Sequence, residues 1–121
     1  MQSNFREGIE RVILNTFLFS NLSTDNEFEL ILEHKLDFSL FVSNITIKSV
    51  AKAIANLQEQ DYPIDDKIVY EYIEKRMPLD WNEWFEITTT TPVRYKTLKH
   101  YIKMLTDENI RQYKNSLMGR I

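Results

Sequence analysis

Cysteine is missing altogether from the 121 residues, and with it disulfides, thiolate nucleophiles, Cys-ligated zinc and iron–sulfur clusters. Only two Gly and three Pro are present, too few for the turns of a hairpin-rich fold, which favours helices. Behind the opening Met1-Gln2-Ser3-Asn4-Phe5 there is no long apolar run, so neither a signal peptide nor a spanning helix is expected. A bacterial cytoplasm is the default, with no membrane partner. Basic excess is also lacking: 15 Lys and Arg stand against 18 Asp and Glu, for a net charge of −3. That balance gives no footprint for strong direct nucleic-acid binding.

What is present is an ordinary globular composition, 43% hydrophobic and 27% charged. The length fits one domain that folds without a metal or cross-link. Ile9, Val12, Ile13, Thr16 and Phe17 recur at the three-and-four spacing of a helix face. After a polar break, Thr24 with Glu27 has the form of a capping box, opening a second helix with Phe28, Ile31, Leu32 and Leu36 inward. Asp37 to Val42 reads as a packed connector. Asn44 or Ser43 caps a third helix bearing Ile47, Val50, Ala51, Ile54 and Leu57, which ends at Gln58-Glu59-Gln60-Asp61.

Tyr62-Pro63 forces extended backbone, and Asp65 is a good cap for a fourth helix with Ile68, Val69, Tyr72 and Ile73. Past Pro78, Asp80 with Glu83 repeats the capping pattern before a short helix carrying Trp81, Trp84, Phe85 and Ile87. Four threonines, Thr88 to Thr91, stop it, since β-branched residues are poor helix formers. Thr91 as cap and Pro92 at the first helical position predict a long sixth helix from there. Its early face is Tyr95, Leu98, Ile102 and Leu105. The later set Ile110, Tyr113 and Leu117 is out of step, so a kink or a new helix is expected near Thr106. The fold class predicted is all-α: a compact orthogonal bundle of about six helices, residues 1–105, with a C-terminal helical arm, residues 106–121.

Ile9-Glu10-Arg11-Val12-Ile13-Leu14, then Leu36-Asp37-Phe38 through to Tyr62-Pro63-Ile64-Asp65, and Ile87 to Val93 followed by Tyr95 and Tyr101-Ile102-Lys103-Met104-Leu105 are three stretches whose order and spacing carry a likeness. Together they resemble the amino-terminal domain of DnaB-type replicative DNA helicases. The resemblance implies a collar domain that self-associates through a helical hairpin and docks primase or a helicase loader in the primosome. By the same resemblance the hairpin has its first helix here and lacks its second. The parent would be an ATP-dependent helicase. This domain itself is expected to be non-catalytic, since Gly8 and Gly119 cannot supply the GxxxxGK[ST] loop that cradles a triphosphate. The alternative is the helicase-binding carboxy-terminal domain of primase, which resembles the same fold.

No cofactor or metal is expected. His34 and His100 lack ligand partners at helical spacing and read as solvent-facing or capping. Asp65-Asp66, with Glu71 and Glu74, could form an acid–base or hard-cation site, but capping explains the first pair better. Two sets are candidates for protein partners: Ile110, Tyr113 and Leu117, a helical stripe with no later helix to cover it, which either meets a partner or folds back on its own domain, and Trp81 and Trp84, in an aromatic cluster flanked by acids that is either a core plug or a partner-protein contact.

Overall fold

The computed structural model describes residues 3–20 and 27–118. Among them are six α-helices, a short 3-10 helix and no strand: α1 Ser3–Phe19, α2 Glu27–Glu33, the 3-10 turn Phe38–Leu40, α3 Ile45–Glu59, α4 Asp66–Glu74, α5 Trp81–Thr88 and α6 Tyr95–Met118. The predicted all-helical bundle is what the chain forms. Thr24 lies outside the described residues.

α1 is the central element and packs against α5, α6, α3, α2 and α4. Every residue from Ile13 to Leu18 is buried, so the one-sided periodic face predicted for α1 understates it. A helix surrounded by neighbours buries its whole circumference, and side chains off the apolar face must then find polar partners. Asn15 does so with its amide nitrogen, which donates to the Ile87 carbonyl at 3.0 Å, while its buried Oδ1 has no partner among the described residues. Thr16 donates to the Val12 carbonyl and accepts from the Val93 N–H at 3.0 Å. Around this axis Phe17, Phe41, Ile47, Ile54, Ile73, Ile87, Leu98 and Leu105 make one continuous core.

Local chemistry sets the helix ends. Asn44 accepts from the Ile47 N–H at 2.8 Å and Asp65 from the Ile68 N–H at 2.8 Å, both as N-caps, which satisfies amides that have no intrahelical partner. α3 closes in a Schellman arrangement: the Tyr62 N–H reaches the Leu57 carbonyl at 2.9 Å and the Asp61 N–H the Gln58 carbonyl at 3.0 Å. Asp61 takes the left-handed conformation this needs, with φ 58°. Gln58 then fixes the incoming connector, accepting from the Leu36 N–H at 2.9 Å and donating to the His34 carbonyl at 2.8 Å.

Three expectations are corrected. Asp80 does cap α5, accepting from the Asn82 N–H. Glu83 does not complete the box, because its carboxylate is taken by Arg11 and Asn44, and the Asp80 N–H goes to Thr46 Oγ1 at 2.8 Å. α6 begins at Tyr95 rather than beside Pro92. The Val93 N–H is committed to Thr16, holding 91–94 against α1, and the Tyr95 N–H is accepted by Glu27 of α2 at 3.2 Å. That carboxylate caps a helix far from it in sequence. Finally, α6 runs unbroken through Thr106, whose hydroxyl donates to the Ile102 carbonyl at 2.9 Å. The change of apolar register turns out to be a change of exposed face, with no new helix.

Candidate interaction surfaces

α6 is 24 residues long, about 36 Å at ~1.5 Å per residue. Its first part lies on the body, where α6 packs against α1 and α2 and buries Leu98, Leu105 and Glu108. From Ile110 to Met118 every residue is exposed. Continuing the seam of Leu98, Leu105 and Asn109 leads to Gln112 and Ser116, which are polar, so nothing apolar draws the end of α6 onto the body. Ile110, Tyr113 and Leu117 sit roughly a third of a turn away from that seam. They are 49%, 66% and 44% exposed, and Met118 beside them is more exposed still. The stripe faces outward.

The aromatic cluster divides. Trp84 is buried, its ring tilted against Tyr70 with centroids 5.7 Å apart, so it belongs to the core and not to a docking surface. Trp81 is 60% exposed and meets the same Tyr70 edge-on at 5.9 Å. Phe85, one turn further, is also exposed. The periodicity of a short helix does not distinguish these outcomes. What separates them is where α1 and α3 lie against α5.

Two ion-pair networks run between the elements, the first buried and the second partly buried, and the sequence pattern assigned no role to any of their charges except Glu83 as a cap. In the first, Glu10 accepts from Arg6 Nε at 3.0 Å, from the Val42 and Ser43 N–H groups at 2.9 and 3.1 Å, and from the Ser43 hydroxyl. Arg6 donates onward to the Leu40 carbonyl at 2.8 Å and to Asn109 Oδ1 at 2.7 Å. In the second, Arg11 grips Glu83 with two hydrogen bonds of 2.7 Å and also meets Glu7 at 2.6 Å. Its pKa is raised, chiefly by the Glu83 hydrogen bond. Asn44 bonds Glu83 at 2.7 Å while capping α3, so one cluster ties α1, α3 and α5. The signal in the sequence was Arg6 with Glu10 and Glu7 with Arg11 at four-residue spacing, which reads equally as an exposed pair.

Hydrogen bonds from these charges tie α1 to the 3-10 turn, α3, α5 and α6, although Arg6 Nη1 is buried without a partner among the described residues, and what they do visibly is order the fold. Asp65 is a cap, and among the described residues no three His, Asp or Glu side chains approach as a metal cluster. His34 is not solvent-facing: it is partly buried, edge-on to Tyr95 with centroids 6.4 Å apart, and its pKa is lowered by burial and then by Lys99. His100 is exposed.

Among the described residues no helix is long and apolar enough to cross a membrane. No protein-family model, curated protein or solved structure matches the chain. The family resemblance is carried by the sequence landmarks alone.

Proposed function

We propose that this chain is a non-catalytic assembly domain of the replicative-helicase collar type, which pairs with a second copy through the free end of α6 and docks primase or a loader. The observation that carries this reading is the stripe Ile110, Tyr113 and Leu117, held in water on an arm whose other half is anchored in the body. An exposed apolar row on a helix gains free energy when a second such row covers it. The order of the sequence landmarks supplies the replication context.

Analytical ultracentrifugation tests it. The chain should show concentration-dependent dimerisation that Tyr113→Asp abolishes while circular dichroism shows the globular fold retained. Added primase carboxy-terminal domain should co-sediment. An unchanged mass for Tyr113→Asp defeats the pairing, while binding to helicase collar but not to primase reverses the assignment within the primosome.

A further inference from the structure

On the side of the body formed by the 3-10 turn, α3 and the α4–α5 connection lies a groove of about 540 Å³. Its floor is Phe41, which is buried. Phe38, Val42, Met77 and Pro78 also line it. Phe38, Val42 and Ile45 stand 47%, 44% and 58% exposed, a concentration of bare apolar surface that folding leaves uncovered. Ile45, Lys48, Ser49 and Lys52 fall at i, i+3, i+4 and i+7, so the outer stripe of α3 lines the groove with an apolar start and two ammonium groups.

The rim is cationic in an acidic protein. Lys48, Lys52 and Arg76 line the groove and no carboxylate does, although the chain as a whole carries −3. Among the described residues neither lysine has a carboxylate at salt-bridge distance. Arg76 is held in place, its guanidinium 4.3 Å from the Tyr72 ring centroid and donating to the Tyr72 carbonyl at 3.2 Å, which leaves further N–H donors for a ligand.

We propose that this groove docks a short acidic, amphipathic segment of a partner protein, its apolar side chains seated between Phe38 and Met77 and its carboxylates on Lys48, Lys52 and Arg76. Charge complementarity selects that occupant over a neutral greasy helix: an apolar patch ringed by one sign of charge attracts the opposite sign and repels its own. The α6 stripe of a second copy is a poor fit, since Ile110, Tyr113 and Leu117 alternate with Arg111 and Lys114. The groove is therefore separate from the pairing surface of α6, and the proposal stands or falls independently of it.

Fluorescence anisotropy of a labelled peptide with a Leu and a Phe among Glu and Asp residues, titrated with the full chain, tests this. Binding should be saturable and weaken with added salt. Lys48→Glu with Lys52→Glu should weaken it about tenfold, and so should Ile45→Asp, all three positions being exposed enough for the fold to persist by circular dichroism. A Tyr113→Asp chain should bind as well as the unaltered one. Equal affinity for a peptide with every acid changed to its amide overturns the proposal. So does capture of the chain by anionic phospholipid vesicles or by a single-stranded oligonucleotide in place of the peptide.

Discussion

Arg6, in the first turn of α1, donates to Asn109 of α6 across 2.7 Å and 103 positions of sequence. The same guanidinium holds Glu10 and the Leu40 carbonyl, so the first helix, the 3-10 turn and the root of the arm meet on one buried charge. Glu10 carries the reciprocal load on the backbone amides of Val42 and Ser43. Removing one member takes from the other its ion-pair partner in a buried site, a loss of about 3–5 kcal/mol.

Glu10→Ala is accordingly expected to destabilise by that amount in urea titration. Glu10→Gln should cost distinctly less, because an amide oxygen can still accept from the Val42 and Ser43 N–H groups. Arg6→Met paired with Glu10→Gln should cost less than the two single losses added together, a coupling that a double-mutant cycle measures. Additive losses would show that the pair does not act as a unit.

Trp81 and Trp84 lie on one short helix three positions apart and should behave oppositely. Trp84→Ala opens a cavity in the core and should cost about 3–5 kcal/mol, lowering the melting temperature by roughly 4 °C for each kcal/mol in a chain of this size. Trp81→Ala removes a largely exposed ring and should cost under about 1 kcal/mol. Thermal melts of the two variants decide it, and equal losses would mean that the exposed ring has a packing role.

Much of this architecture was legible because it depends on neighbours in sequence. Asn44, Asp65 and Asp80 cap helices through amides two or three residues ahead, and the core faces of α3 and α4 follow from a 3.6-residue period. The threonine run does stop α5, but by more than poor propensity: the hydroxyls of Thr88, Thr89 and Thr90 donate to the carbonyls of Trp84, Phe85 and Glu86, adding side-chain bonds to the carbonyls of the last turns. What could not be read was everything set by distant partners. Glu27 meets α6 instead of only its own helix, and Glu83 turns to Arg11 instead of back to its cap. The late start of α6 comes from an amide taken by Thr16. Of the residues picked for partner contact, Ile110, Tyr113, Leu117 and Trp81 are exposed and Trp84 is core, a distinction that only tertiary placement makes.

Asp61 offers a gain in stability. It occupies a left-handed conformation, φ 58°, in which a side chain costs about 1 kcal/mol that glycine does not incur. Asp61 is exposed and no carboxylate bond of its own ties it to the fold among the described residues. Asp61→Gly should therefore stabilise by up to about 0.5 kcal/mol, much of the relief being offset by the greater freedom of glycine in the unfolded chain. Chemical denaturation checks the sign. A loss would show that the aspartate contributes something beyond its backbone angle.

Acid should weaken the fold in two stages. Burial, and then Lys99, hold the His34 pKa below its ordinary value, so the folded state resists protonation that the unfolded chain accepts at about 6.5. Stability contributed by neutral His34 is whole above that value and declines as the pH falls through it. Glu27 is held down by Arg94 and the Tyr95 N–H, and Glu108, chiefly by Arg111, to about 2. For these carboxylates the contribution is present above the ordinary carboxylate range, near 4.3, and disappears as the pH drops from about 5 toward 2. His34→Gln should flatten the upper part of a stability-against-pH curve and leave the lower part intact, whereas Glu108→Gln should flatten only the lower. Urea titrations at stepped pH read both. If His34→Gln leaves the slope between about pH 7 and 5.5 unchanged, the packed edge of His34 on Tyr95 does not discriminate between the protonation states.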